Sequence, residues 1–273
     1  MITPTELTNY YNSHNENARL ESRHGNVEFL TTVRYIEKYL KPGMRIIEIG
    51  AGTGRYSHYF AQNGYHVDAV ELIEHNIDVF KQFTQENEPI TITQGNALDL
   101  HHIADNTSDI TLLLGPMYHL YTQADQLRAL SEAIRITKQG GIVFAAYCNS
   151  DMTMYQCFLK KDMLYHQIAA KKIDLDTFQL FSLPEDVFQL YRKADVDELM
   201  SHFHTTRLHY VGTDMLTRLI KATVDTMDDE TYALYLRYHF AICERDDLIG
   251  ATNHMLDIFR KESNDVVKQK NNT

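Results

Sequence analysis

The sequence is poor in cysteine and in positive charge, and it has no long apolar run. Its 273 residues include three cysteines, Cys148, Cys157 and Cys243, which are odd in number and share no C-x-x-C spacing. This pattern implies neither a disulfide framework nor a zinc ribbon, and it favours a reducing compartment. No stretch approaches the about 18 apolar residues that a membrane-spanning helix needs, so no transmembrane segment is expected.

The charge balance narrows the functional classes further. The chain has 26 Lys and Arg against 37 Asp and Glu, which gives a formal charge of −11. A general nucleic-acid binder needs a basic surface to offset phosphate charge, so that class is not expected. The first residues contain neither the basic region nor the apolar stretch of a secretory signal. The expected location is therefore the cytoplasm.

Short apolar runs alternate with helical patterns along most of the chain. Repeated βα units of this length predict an α/β fold, in which a doubly wound, Rossmann-like and mostly parallel sheet of seven strands carries helices on both faces. Strands are predicted at residues 45–49, 67–70, 90–93, 109–114, 142–147, 207–211 and 255–260, and helices at 56–62, 74–85, 125–137 and 229–244.

The chain is interpreted as one domain with additions. Residues 1–42 are a predicted N-terminal helical cap, which the breaker Lys41-Pro42-Gly43 ends, and residues 43–148 are the βα core. Residues 149–185 interrupt the βα rhythm with helical character and are interpreted as an insertion or lid. The sheet resumes in residues 186–261, and residues 262–273 are a polar tail.

The most informative segment is the run Ile46-Ile47-Glu48-Ile49-Gly50-Ala51-Gly52-Thr53-Gly54-Arg55. A β-branched strand with an acidic residue leads into glycines at alternate positions and then into a helical pattern. Glycines allow positive φ and a close approach of ligand, and the following helix presents unpaired N–H groups and its positive dipole end. The hydride-carrier fingerprint G-x-G-x-x-G requires a glycine where Arg55 stands, which counts against a dinucleotide site.

The pattern E-x-G-x-G-x-G resembles the first motif of the class I S-adenosylmethionine (AdoMet) dependent methyltransferases. The resemblance covers residues 25–148 best, and it implies AdoMet as the cofactor. It implies that Glu48 helps to anchor the amino-acid end of AdoMet. The loop residues along its methionine and ribose parts are then Gly50, Ala51, Gly52 and Gly54.

Two further segments of the chain follow the same resemblance. Glu71 ends the second strand, where a carboxylate can accept hydrogen bonds from both ribose hydroxyls. Leu72 and Ile73 then flank the adenine. The triplet Gly95-Asn96-Ala97 corresponds to the family's G-D-A, and Asn96 can still bond the adenine edge because its amide is both donor and acceptor.

The segment Leu114-Gly115-Pro116-Met117-Tyr118-His119 follows the fourth strand, and ligands in such folds bind at the carboxyl ends of strands. Leu114 is expected beside the cofactor. Tyr118 and His119 are expected on the substrate side, with His119 as a candidate base near neutral pH. A histidine that only hydrogen-bonds to the backbone is the alternative. Gly115 replaces the polar residue of the [D/N/S]-P-P-Y motif used on amide and base nitrogens, which favours a small-molecule acceptor.

Residues outside these motifs supply the remaining candidates. In related methyltransferases a segment before the first strand folds over the cofactor, so Tyr10 or Tyr11 is expected to close the pocket and Arg23 to meet a carboxylate. A surface helix is the alternative. The 14 histidines include no H-E-x-x-H or Cys/His cluster, so no catalytic metal is expected. Asn253 and His254, just before the last strand, are further candidates for the substrate pocket.

The sequence thus predicts an enzyme that moves the AdoMet methyl group to a small molecule by in-line displacement. The sulfonium methyl is already electrophilic, so the protein positions the nucleophile and excludes water, and a base is needed only where the nucleophile loses a proton. Two alternatives stay open: a non-catalytic module that binds AdoMet or S-adenosylhomocysteine, and an NAD-linked oxidoreductase. The acceptor atom and the oligomeric state are not predicted.

Overall fold

The computed structural model describes Leu7 and residues 22–262. The strands within this part of the chain are β1 (Arg45–Ile49), β2 (His66–Glu71), β3 (Ile90–Gln94), β4 (Ser108–Leu113), β5 (Thr137–Asn149), β6 (Leu190–Tyr191), β7 (Thr205–Gly212) and β8 (His254–Lys261). Its α-helices are α1 (Arg23–Glu37), α2 (Arg55–Gln62), α3 (Glu74–Phe83), α4 (Gln123–Ile136), α5 (Ser150–Leu159), α6 (Lys161–Ala169), α7 (Lys193–Met200), α8 (Lys221–Asp225) and α9 (Asp229–Ile242).

The strands form one mixed sheet in the order β3-β2-β1-β4-β5-β8-β7. The first five strands, β1 to β5, run parallel to one another, whereas β8 pairs antiparallel with both β5 and β7. The predicted α/β class and all seven predicted strands are confirmed. The additional strand β6 pairs with β5, and its two residues are too few to produce a recognisable pattern.

The start of β5 differs from the prediction. The strand was predicted at residues 142–147, but β5 already begins at Thr137 and includes residues 139–141. Gly140 has a φ of +75°, and the β4–β5 register shifts between Ser108 and Ile110. The glycine pair therefore produces an irregularity within a strand, because glycine adopts a positive φ that other residues avoid.

Both faces of the central strands are buried, which explains their nearly continuous apolar sequence. In β1, Ile46 packs in a cluster with Phe29 of α1 and Phe60 of α2. The next residue, Ile47, belongs to a second cluster on the other face of the sheet, together with Ala133 of α4. Successive side chains of a strand point to opposite faces, so one short run serves two cores.

The segment between β5 and β6 is a helical addition with its own small core. Four buried side chains form that core: Met154, Cys157, Ile173 and Leu180. Because β6 pairs with Cys148 and Asn149, the last residues of β5, the addition leaves the sheet and returns to it at one point. Its two helices α5 and α6 agree with the predicted helical character of this segment.

The structure also gives the state of the three cysteines and the lengths of the described helices. Cys148, Cys157 and Cys243 are free thiols, and all three are buried. Across the described residues, no helix is both long enough and apolar enough to span a membrane.

Candidate functional site

The turn between β1 and α2 has the geometry that its glycines predict. Gly50, Gly52 and Gly54 have φ values of +73°, +56° and +91°. A Cβ atom on Gly50 would lie 2.7 Å from the ring of Pro116, and one on Gly54 would lie 2.4 Å from the ring of Phe80. A Cβ on Gly52 would meet nothing within 4 Å. Packing therefore requires the outer two glycines, whereas Gly52 leaves its backbone open to a ligand.

A cavity of about 440 Å³ lies at the carboxyl ends of β1, β4 and β5. Eight residues that line it were predicted as site residues or candidates: Glu48, Gly50, Ala51, Gly52, Leu114, Tyr118, Asn253 and His254. Its wall on the side of the helical addition consists of Met163, Gln167, Leu180, Phe181 and Ser182. The far wall includes Glu28, Cys148, Thr213, Asn253 and His254.

Glu48 borders the cavity as a buried carboxyl group. Its side chain is 2% exposed and accepts a hydrogen bond from the hydroxyl of Ser57 at the start of α2. Burial raises the pKa of Glu48 to about 8, although the bonds from Ser57 oppose the shift. Near neutral pH the group is therefore mostly protonated and can donate a hydrogen bond.

Glu71 is held by backbone groups at the end of β2. Its Oε2 accepts from the N–H of Gly52 at 2.8 Å, and its Oε1 accepts from the N–H of Ile73 at 2.8 Å and from Nδ2 of Asn76 at 3.3 Å. Burial raises the pKa of Glu71 above its ordinary value, although these hydrogen bonds oppose the shift. The carboxylate thus connects the glycine turn to the next strand end.

The residues predicted near adenine follow the carboxyl ends of β2 and β3. Asn96 is exposed, and its Oδ1 accepts from the N–H of Leu98 at 3.0 Å. Ala97 is buried, and the carbonyl of Leu72 accepts from Nε2 of Gln94 at 3.1 Å. Five of the predicted cofactor residues, all within the described chain, do not line this cavity: Gly54, Glu71, Leu72, Asn96 and Ala97.

Tyr118 and His119 follow β4 on a short 3₁₀ turn, Pro116–His119, and they face different surroundings. Within the described chain Tyr118 lines the cavity, whereas His119 does not. The Nδ1–H of His119 donates to the carbonyl of Val187 at 2.8 Å, and the side chain is buried. The placement of His119 corresponds to the alternative of a histidine held by the backbone.

Arg23 lies at the start of α1, away from the expected carboxylate of a ligand. Its Nη2 is 2.5 Å from Oδ1 of Asp229, and its guanidinium lies over the ring of Tyr232 at 5.0 Å. Arg55, the residue that argued against a dinucleotide motif, lines the cavity instead and stacks over Phe29 at 4.3 Å. The sequence signal for Arg55 was its position directly after the third glycine. Tyr10 and Tyr11 lie outside the described residues.

A cluster of charged side chains occupies the far wall. His254 Nδ1 lies 3.0 Å from Oδ2 of Asp214 and 3.2 Å from Oε2 of Glu28. Burial alone would lower the pKa of His254, but the carboxylates of Glu28 and Asp214 raise it well above its usual value. The position of His254 before the last strand suggested this site, whereas Glu28 and Asp214 are distant in sequence and carried no local motif.

Comparisons with known proteins agree with this geometry. Residues 47–145 match a family described as a methyltransferase domain. The chain is 31% identical over 106 residues to a demethylmenaquinone methyltransferase of Renibacterium salmoninarum, a match that covers 38% of this chain and 41% of the relative. It is 26% identical over 136 residues to a ubiquinone biosynthesis O-methyltransferase of Methylocella silvestris, a match that covers 50% of this chain and 52% of that relative. The chain thus spans about half the length, or less, of these curated relatives.

The solved structures add the fold. A SAM-dependent methyltransferase from Methanosarcina mazei aligns with a TM-score of 0.57 at 14% identity, over 84% of this chain and 97% of that one. Its likeness extends beyond residues 47–145 to most of the sheet. Residues 47–145 thus have the sequence of a methyltransferase domain, and the glycine turn and the sheet order support a class I S-adenosylmethionine-dependent methyltransferase, for which S-adenosylmethionine is the cofactor.

Proposed function

We propose that the chain transfers the methyl group of AdoMet to a nucleophile bound in the cavity beyond the glycine turn. One observation carries this proposal: Gly50 and Gly52 line the same cavity as Leu114 and Tyr118. A donor held by the turn after β1 and an acceptor held beside the turn after β4 would share one enclosed space. Such juxtaposition, with water excluded, is what displacement at the sulfonium methyl requires.

The residues around the turn fit AdoMet. Its carboxylate can approach the guanidinium of Arg55 through the space beside Gly52, where a Cβ would meet nothing within 4 Å, while the neutral Glu48 can donate a hydrogen bond nearby. We place the ribose beside Glu71. The adenine then lies against the ends of β2 and β3, at Leu72, Asn96 and Ala97. When bound, AdoMet supplies an electrophilic methyl group, and the chain supplies its orientation.

The acceptor on this proposal is a small molecule with apolar surface. The acceptor end of the cavity is lined by Met163, Leu180, Phe181, Phe188 and Leu190, and the volume of about 440 Å³ suits a small ligand. The two curated relatives are named for demethylmenaquinone and for ubiquinone biosynthesis, which supports an apolar acceptor. We propose further that residues 149–185 act as a lid and that the enzyme works in the cytoplasm without nucleic acid.

Titration calorimetry with AdoMet, S-adenosylhomocysteine and NAD tests the cofactor. Release of S-adenosylhomocysteine is then measured with catechol, benzylamine, benzyl mercaptan and benzoate as acceptor probes. We expect binding of AdoMet but not of NAD, and product release with one probe class. Binding of NAD alone would instead indicate an oxidoreductase. Binding of AdoMet with no transfer to any probe would indicate a non-catalytic module.

A further inference from the structure

We propose that Glu28, Asp214 and His254 bind a divalent transition-metal ion at the acceptor end of the cavity. The three residues belong to separate elements, since Glu28 lies in α1, Asp214 follows β7, and His254 begins β8. One ligand atom from each residue lies within 4.8 Å of the other two. In the part of the chain that the structure describes, no other group of three His, Cys, Asp or Glu side chains converges in this way.

The distances within the cluster suit a shared ion. Nδ1 of His254 is 3.0 Å from Oδ2 of Asp214 and 3.2 Å from Oε2 of Glu28. Nitrogen and oxygen ligands lie about 2.1 Å from such ions, so neighbouring ligands of an octahedral ion are about 3.0 Å apart. The nitrogen of His254 therefore has the spacing of a neighbouring ligand to each carboxylate oxygen, and the ligand atoms of Glu28 and Asp214 lie within 4.8 Å of each other.

Asp214 is oriented by hydrogen bonds that leave one oxygen for the cluster. Its Oδ1 accepts from the hydroxyl of Thr252 at 2.8 Å and from the backbone N–H groups of Asn253 and His254 at 2.8 Å and 3.0 Å. Its Oδ2 then points at His254. Hydrogen bonds of this kind fix the direction of ligating carboxylates in metal sites.

Burial and charge favour a cation at this point. The side chains of Glu28, Asp214 and His254 are 12%, 8% and 12% exposed. The carboxylates of Glu28 and Asp214 attract a divalent ion, and the low solvent exposure of the cluster strengthens this attraction.

The cluster is open on the side where an acceptor would lie. Glu28 and His254 line the cavity, and the ring of Tyr118 is 5.9 Å from the ring of His254. Sites that take part in reactions keep such open coordination positions. A mixed set of carboxylate and imidazole ligands suits Mn²⁺, Fe²⁺ or Zn²⁺.

This inference rests on the proposed function and narrows its acceptor. A metal ion at this position binds an acceptor through oxygen, and a hydroxyl bound to the ion loses its proton more readily. The acceptor class is therefore a molecule with a metal-binding hydroxyl or carboxylate oxygen. A hydroxyl acceptor would release its proton to solvent or to a base in the cavity, whereas a carboxylate acceptor needs no proton loss. The acceptor oxygen would then form its bond to the methyl carbon as the carbon–sulfur bond of AdoMet breaks, and S-adenosylhomocysteine would leave.

Metal titration of the full chain tests the site without any acceptor. After treatment with a chelator, the protein is titrated with Mn²⁺, followed by electron paramagnetic resonance of the free ion, and with Zn²⁺, followed by calorimetry. We expect one ion per chain and a loss of affinity of at least about tenfold in Glu28→Gln and Asp214→Asn. The matched control is His58→Gln, which breaks another buried histidine–carboxylate pair, with His58 Nδ1 3.1 Å from Glu88, outside the cluster.

Binding of S-adenosylhomocysteine is measured in every variant as a check of folding. Retained cofactor binding with lost metal binding supports the site, even where methyl transfer to the probes has not been found. Failure of cofactor binding in the wild-type chain overturns the proposed function and leaves the metal result to be read separately. No stoichiometric ion in the wild-type chain, or an unchanged affinity in Glu28→Gln, overturns the metal site and leaves an imidazolium ion pair.

Discussion

Arg207 and Asp257 form an ion pair with two hydrogen bonds between the antiparallel strands β7 and β8. Nε of Arg207 donates to Oδ1 of Asp257 at 2.7 Å, and Nη2 donates to Oδ2 at 2.9 Å. Asp257 is completely buried, and Nη1 of Arg207 also donates to Asp197 of α7. A single guanidinium therefore joins the outer strands of the sheet to a covering helix.

Replacing Arg207 by leucine should reduce the free energy of unfolding by about 3–5 kcal/mol, because it leaves the buried carboxylate of Asp257 without a partner. Urea unfolding followed by circular dichroism measures the loss. The control is Arg245→Leu, which breaks an exposed pair with Asp247 and should leave the free energy of unfolding nearly unchanged, because solvent screens such a pair. Equal losses in the two variants would contradict a special role for the buried pair.

Alanine at Gly50 should both destabilise the chain and weaken cofactor binding. The added Cβ requires the left-handed φ of +73° and would lie 2.7 Å from Pro116, so the turn has to shift. Gly64→Ala is the matched control, since Gly64 has a φ of +85° with open space around it. That control should cost about 1–2 kcal/mol from backbone strain alone.

The two glycine variants are compared by urea unfolding and by titration with S-adenosylhomocysteine. Gly64→Ala should bind the product as the wild-type chain does. Indistinguishable unfolding and binding in the two variants would show that the contact with Pro116 does not constrain the turn.

Removing the guanidinium of Arg55 should weaken binding of S-adenosylhomocysteine by about 10- to 100-fold, because a charge-assisted hydrogen bond contributes about 1.5–3 kcal/mol. Calorimetry on Arg55→Ala measures the change. Arg23→Ala is the control, since Arg23 pairs with Asp229 and not with the cavity. A larger loss of affinity in Arg23→Ala than in Arg55→Ala would instead support the prediction that Arg23 contacts the carboxylate of the cofactor.

The buried carboxyl of Glu48 should make stability fall as pH rises. Its pKa is about 8 in the folded chain and near its ordinary value when unfolded, so the folded state binds the extra proton between these values. The contribution is present below the lower pKa and is lost towards pH 8, with a slope of up to about 1.4 kcal/mol per pH unit.

Glu48→Gln tests this dependence because glutamine keeps the shape without titrating. The free energy of unfolding is measured in urea at pH 5.5 and pH 7.5 for both proteins. The wild-type chain should lose more stability than the variant over this interval. Parallel pH dependence of the two proteins would mean that Glu48 stays ionised when folded.

The positions of the seven strands along the chain and the glycine turn could be predicted because their causes are local. Ile46, Ile47 and Ile49 are apolar on both sides of the strand, and only glycine suits the positive φ values that follow. Both features depend on residues that lie close together in the sequence. The identity of the cofactor was predicted from the resemblance of the glycine motif to a known family.

The far wall of the site could not be predicted in the same way. Glu28, Asp214 and His254 come together only after α1 packs beside the turn that follows β7, and no spacing in the sequence records that contact. The orientation of His119 depends likewise on the carbonyl of Val187, which lies in a later connection. Arg55 was visible in sequence but was read only as evidence against NAD.

The helical addition begins and ends against the same two residues of β5. Cys148 and Asn149 pair with β6, and the side chain of Asn149 also accepts from the N–H of Asp151 at the start of α5. The two chain ends of the addition therefore lie side by side at the end of one strand. On the proposed function, a change in the sequence of this addition would alter the acceptor wall of the cavity, while the glycine turn between β1 and α2 keeps its supporting strands.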